Sequence, residues 1–230
     1  MGLPKTGTSS VAEAVERLGF NMHHYAPSVA PLAWLGCDGL ANAAEHEYAS
    51  LHATYPCATW IVTHSANVSA WGASLKRQIT KNLHANSKAW RCPAIERIFG
   101  NHTDVTQALA HASHGALAPP IGCRFEHAFF AAFYAEYYRR LFAFFDARRV
   151  TYRVVDVRKG DNSWRALGPI RGRCPVAPDA PFPMANSRAA KTSDYIGRCR
   201  DPRAWSAEWW LGLRPPPTRP PAAAEQWVTC

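Results

Sequence analysis

The chain has 230 residues, of which 47% are hydrophobic, 12% aromatic and 19% charged; this supports one sizeable core and excludes a chain disordered throughout. Its 26 Lys and Arg against 17 Asp and Glu leave a net charge of +9 and a pI near 9.4, a balance that suits an anionic partner such as a nucleotide, nucleic acid, acidic glycan or anionic membrane. The most apolar stretch, 128–135 (AFFAAFYA), falls far short of the ~20 residues of a membrane-spanning helix, and Lys5, Glu13, Glu16 and Arg17 occupy the place of a signal peptide's apolar region.

The chain opens on Gly2-Leu-Pro-Lys5-Thr6-Gly7-Thr8-Ser9-Ser10. Val11, Ala14, Val15 and Leu18 then share one face and Gly19 follows, which predicts a helix over 9–18 with Ser9 or Ser10 at its start. Glycine lets the backbone turn tightly and approach an anion, and a helix N-terminus offers unpaired N–H groups at a positive dipole end. Lys5 adds a point charge, and Thr6, Thr8, Ser9 and Ser10 add hydroxyl donors, so the segment has the parts of a phosphate cradle. It is not a Walker A loop, because Thr8 rather than lysine follows Gly7. That disfavours a nucleoside-triphosphate kinase; an ordinary glycine turn capping a helix remains the plain alternative. His23-His24 makes a poor metal pair, since neighbours on a strand point to opposite faces.

Residues 59–63 (TWIVT) read as a buried strand and 150–157 (VTYRVVDV) as another. Helical patterns between them predict βαβ units and a parallel sheet. Residues 81–120 are polar and weakly periodic, which suits short helices and loops. The strongest helix is predicted over 125–146: Phe125, Phe129, Phe133, Tyr137, Leu141 and Phe145 step by four, and Phe130, Tyr134, Tyr138 and Phe142 widen the face. A stripe this broad reads as core. Arg214-Pro-Pro-Pro-Thr-Arg-Pro-Pro221 reads as polyproline or disordered, which sets a boundary near 212 between a domain over 1–212 and a Pro-rich tail over 213–230. The cysteines at 37, 57, 92, 123, 174, 199 and 230 form no CxxC pair, so zinc-ribbon and thioredoxin readings lack support. Reduced thiols and long-range disulfides both stay open. Asn67-Val-Ser69 and Asn101-His-Thr103 are glycosylation sequons, of consequence only in a secretory lumen.

The opening loop with its helix resembles the 5′-phosphosulfate loop of sulfotransferases that use 3′-phosphoadenosine-5′-phosphosulfate (PAPS). Tyr55-Pro-x-Ala58-x-Trp60-Ile-Val-Thr63 followed by Trp71-x-x-Ser74 is similar to that family's "YPxAKFILT" strand and "WxxS", whose serine binds the donor's 3′-phosphate. Ile98-Phe99-Gly100, the aromatic helix, Asp156-Val-Arg158-Lys159-Gly160, Trp164-x-x-Leu167 and Pro181-Phe182-Pro183-x-x-Asn186 follow in the family's order, so the resemblance spans roughly 2–188. It implies a three-layer α/β/α domain of the P-loop NTPase-like type, with a central parallel sheet and an acceptor pocket above its C-terminal edge. The implied reaction moves a sulfuryl group from PAPS to a hydroxyl or amine of a small-molecule or glycan acceptor. No metal, nucleic acid or stable membrane insertion is implied.

In such a transfer an acceptor oxygen attacks sulfur in line, while negative charge builds on the bridging oxygen of the departing nucleotide. Lys5 is the cation for that bridge, and the backbone and hydroxyls of Thr6, Gly7, Thr8, Ser9 and Ser10 are the donors around the moving group. The acceptor proton needs a base. The family's acidic position falls near Asn42, which takes no proton, so its neighbours Asp38, Glu45 and His46 become the candidates. A second departure lies at the 3′-phosphate, where Ser65 stands near the family's arginine position. Ser74 is retained, and Arg77 or the Arg158-Lys159 pair is left to supply charge. A third is that Met1 immediately precedes Gly2, where a buried strand normally launches the loop. The expectation is therefore a fold lacking its first strand, and an apolar anchor ahead of it would suggest the Golgi; otherwise the cytoplasm remains open. Two rival readings stand beside the enzyme: a catalytically impaired relative, and a basic nucleic-acid-binding protein, though no nucleic-acid motif is present.

Overall fold

The computed structural model describes residues 1–24, 38–41, 47–84, 96, 98–120, 124–157, 164–167, 170 and 182–183. The predicted tail and its boundary near 212 lie outside them. After the opening loop come α1 (Thr8–Arg17), β1 (Met22–His24), β2 (Gly39–Ala41), α2 (Tyr48–Thr54) and β3 (Trp60–Thr63). Then follow α3 (Val68–His84), α4 (Thr103–Ala112), α5 (His127–Ala147), β4 (Tyr152–Val155) and a 3-10 turn, Trp164–Leu167. The predicted helix over 9–18 is α1, displaced by one residue, and the two predicted strands are β3 and β4, trimmed at their ends. Among the described residues no helix is long and apolar enough to cross a membrane.

β3 and β4 pair in parallel, with Trp60 opposite Tyr152 and Thr63 opposite Val155. Parallel strands need a long crossover, and α3, α4 and α5 supply it. β1 and β2 form a second parallel pair, with Met22 opposite Gly39 and His24 opposite Ala41. The other edge of β3 is also occupied. The amino group of Met1 donates to the Ile61 carbonyl, and the Thr63 N–H donates to the Met1 carbonyl at 2.8 Å. The His64 N–H, pointing the opposite way, donates to the Val155 carbonyl at 3.0 Å. β3 thus lies between Met1 and β4, and Met1 is in parallel register with Val62.

Strand alternation then puts a core on each face of β3. Trp60 and Val62 enter the larger one, with Leu3, Trp71 and the buried face of α5. Ile61 packs against the smaller one, built from Val11 and Val15 of α1 with Val155, Val157, Leu167 and Phe182. The aromatic stripe of α5 is core as predicted: Phe129, Phe133, Tyr137, Leu141 and Phe145 are all buried, as are Phe130, Tyr134 and Tyr138. On the outer side Arg140 bridges Asp104 of α4 at 2.9 Å and Glu136 at 2.6 Å, joining α4 to α5. Arg139 and Arg140 together hold the Glu136 carboxyl down to about 2. Cys57, the one cysteine among the described residues, is disulfide-bonded, which favours the disulfide reading over wholly reduced thiols.

The register of β4 makes a direct prediction. Val155 is fully buried, whereas Val154 is 45% exposed. Val155→Ala should therefore cost about 2 kcal/mol, while Val154→Ala should stay within ~0.5 kcal/mol of the parent. Urea unfolding of both variants measures this, and equal losses would contradict the register.

Candidate anion-binding and transfer site

The loop 2–7 folds tightly against the C-terminal end of β3. Thr6 N–H donates to the Leu3 carbonyl at 3.3 Å, and the Thr6 hydroxyl donates to the same oxygen at 2.7 Å. With its hydrogen so used, Thr6 Oγ1 accepts from the Thr63 hydroxyl, 2.7 Å away. Lys5 (φ 70°) and Gly7 (φ 100°) are both left-handed; the first is unusual for a residue with a side chain, the second suits glycine. Gly7 precedes α1, and its carbonyl accepts from Val11 N–H at 3.1 Å. The first-turn N–H groups of α1 have no acceptor within the helix and stand at its positive end.

The two glycines are required mainly by protein contacts. A Cβ on Gly2 would lie 2.0 Å from Thr63 Oγ1 and 2.7 Å from the Thr63 carbonyl oxygen. One on Gly7 would lie 2.3 Å from Val157 Cγ2. The loop is therefore pressed onto the ends of both β3 and β4.

Helices α3 and α5 hold it there. Trp71 of α3 donates its indole N–H to the Pro4 carbonyl at 2.8 Å. The Tyr138 hydroxyl accepts from Leu3 N–H at 3.1 Å and donates to the Thr63 carbonyl at 2.6 Å. One turn earlier, the Tyr134 hydroxyl accepts from Ser65 N–H at 2.6 Å and donates to the Ser65 carbonyl at 2.9 Å. Burial raises the Tyr138 phenol well above its ordinary range, so it remains a neutral donor. Asp156, buried at the end of β4, accepts from Ala66 N–H at 2.7 Å and fixes the segment that leaves β3. The His64 ring packs against both Tyr134 and Tyr138, with centroids 5.5 and 4.8 Å away.

The sequence-derived candidates divide accordingly. Lys5, Thr6, Gly7, Thr8, Ser9 and Ser10 form one contiguous turn running into α1. Within it the Thr6 side chain is turned inward and Ser10 is buried, so the hydroxyl array is less open than the sequence suggests. Ser74 is buried on α3, three residues beyond the Trp71 that touches the loop and thus on the same face. Asp38 is not brought to the loop. It stands just before β2, where its carboxylate accepts from Asn21 N–H at 2.8 Å, at the beginning of a strand rather than the end. Ser65 is buried; its hydroxyl donates to the Asn67 carbonyl at 3.3 Å. Arg77 is exposed on α3. Asn42, Glu45, His46, Arg158 and Lys159 lie outside the described residues. His23 and His24 fall within β1, and among the described residues no group of three or more His, Cys, Asp or Glu is gathered as a metal site would need.

Sequence reasoning missed Thr63, Tyr134, Tyr138 and Asp156. A signal for the tyrosines existed: hydroxyls interrupting a stripe of Phe and Leu must find buried partners. Nothing in the sequence named those partners.

The family model described as "Sulfotransferase domain" matches residues 32–191. The loop and α1 precede that span, whereas β3, α3, α5, β4 and the 3-10 turn fall inside it. No curated protein and no solved structure matches the chain.

Gly2→Ala should cost about 1–3 kcal/mol by overpacking, and Gly7→Ala a comparable amount because it adds a left-handed alanine to a clash. Denaturant midpoints for both variants within experimental scatter of the parent would contradict the loop path.

Proposed function

The chain belongs to the sulfotransferase family, and we propose that it moves a sulfuryl group from PAPS to a hydroxyl or amine of a glycan or small-molecule acceptor. The observation that carries this reading is the glycine-flanked turn. It closes onto the end of a parallel strand and opens into a helix whose first-turn amides have no acceptor within the helix. A phosphosulfate fits that chemistry, because it is an anion that needs several N–H donors at short range. We extend the fold reading to the three-layer α/β/α type. Its support is α1 and α5 on opposite faces of β3, and Met1 in parallel register on the edge of β3 away from β4, where such folds launch the loop.

When bound, PAPS supplies the sulfuryl group. The backbone of residues 6–10 holds the donor's sulfate end. Lys5 neutralises the charge that develops on the bridging oxygen, and its left-handed backbone is a strained conformation of a kind that concentrates at functional sites. Ser74 takes the 3′-phosphate together with a cation, for which Arg158 and Lys159 are our assignment because they follow a strand at the edge where parallel sheets bind ligands. Of the two carboxylates considered as base, Glu45 is preferred to Asp38. It follows the end of β2 in the chain, whereas Asp38 precedes the start and caps Asn21. One observation favours a second reading, a relative with impaired catalysis: Ser65, which stands near the arginine position that the resemblance implies, is buried. Binding of adenosine 3′,5′-bisphosphate without turnover on any acceptor would select it.

Two outcomes are expected. Lys5→Ala should lower the transfer rate by roughly a hundredfold or more while weakening donor binding less, since the lost interaction belongs mainly to the transition state. A rate equal to the parent's would remove Lys5 from the mechanism. Secondly, the chain should prefer adenosine 3′,5′-bisphosphate to adenosine 5′-monophosphate, and Arg158→Ala/Lys159→Ala should erase most of that preference. An undiminished preference in the double variant would clear both residues of the role.

A further inference from the structure

The hydrogen bonds of Met1 show where the ladder beside β3 stops. Met1 is bridged in parallel to Val62 through bonds to Ile61 and Thr63. In a parallel ladder the next rung joins the N–H two residues on to the carbonyl two residues on. Here that rung would run from Leu3 N–H to the Thr63 carbonyl. Both groups are instead bonded to the Tyr138 hydroxyl, which accepts from the first at 3.1 Å and donates to the second at 2.6 Å. A single oxygen has been inserted into the rung.

We propose that Tyr138 is a positioning residue of the phosphate loop: its hydroxyl holds the last rung open, so that the chain leaves the sheet at Leu3 and the 5–10 segment presents its amides to an anion. The proposal rests on the sulfotransferase reading for the identity of that anion, but not for the geometry. Tyr138 is nearly fully buried on α5, so its hydroxyl is placed by the packing of the whole helix. Gly2 lets this arrangement close, because any side chain there would collide with Thr63. The neighbouring Tyr137 is an internal control. It is fully buried on the same helix, yet its hydroxyl has no hydrogen-bond partner among the described residues.

Removing the Tyr138 hydroxyl frees a complementary donor and acceptor that a single oxygen had bridged. The rung can then heal directly, drawing the loop onto β3. Tyr138→Phe should consequently fold and unfold cooperatively while losing the anion site. The test titrates the 230-residue chain, Tyr137→Phe and Tyr138→Phe with inorganic pyrophosphate, an anion without a nucleoside, and with adenosine 3′,5′-bisphosphate. Tyr138→Phe is expected to bind both at least tenfold more weakly than the parent, and Tyr137→Phe within twofold of it. Near-parental affinity in Tyr138→Phe, an equal loss in Tyr137→Phe, or failure of Tyr138→Phe to unfold cooperatively would each overturn the proposal. A parent that binds pyrophosphate but not the bisphosphate defeats the donor reading alone, and the pyrophosphate comparison still decides the role of Tyr138. A parent that binds neither defeats both.

Discussion

Thr63, the last residue of β3, has each of its polar atoms bonded to a different residue, two in the opening segment and one on α5. Its N–H reaches Met1, its carbonyl accepts from Tyr138 and its hydroxyl meets Thr6. Such a bond has a net worth of only about 1 kcal/mol, but leaving a buried partner unsatisfied costs about 1–3 kcal/mol. The asymmetry makes the arrangement a constraint on geometry more than a source of stability. The loop, the strand end and the aromatic helix are tied to one another because moving any one of them breaks a bond to a buried group.

The same constraint explains the composition of the loop. Gly2 and Gly7 are needed where the backbone presses on Thr63 and Val157, so the turn is shaped by the ends of two parallel strands. Lys5 is held left-handed between them, a conformation costing roughly 1–2 kcal/mol for a residue with a side chain. It persists because its neighbours are tied down on both sides. The outcome is a lysine placed two residues ahead of the glycine that precedes α1.

The family match begins at residue 32 and leaves out the loop and α1, yet the loop is bonded directly to the matched part of the chain. Pro4 is bonded to Trp71, Leu3 to Tyr138 and Thr6 to Thr63, and Gly7 packs on Val157. The segment leaving β3 is fixed in turn by Tyr134 and Asp156. The C-terminal edge of β3 and β4 is therefore a connected hydrogen-bonded rim, the edge at which parallel α/β sheets take their ligands.

Local pattern alone determined the loop followed by α1, the two paired strands, and α5 with its buried face, all within a residue or two of their observed limits. Each is set by periodicity over a few neighbouring residues, and short-range spacing survives whatever the rest of the chain does. Tertiary structure decided the details of the site. It turned the Thr6 hydroxyl inward, left Asp38 at the start of β2, and buried Ser65 beneath Tyr134. It also gave two tyrosines of a core stripe their backbone partners. The contacts of Thr6 with Thr63, Ser65 with Tyr134 and Leu3 with Tyr138 span 57 to 135 positions, and even Asp38 reaches 17 positions back to Asn21. A sequence shows that a buried hydroxyl needs a partner; only the folded chain determines which partner comes within reach.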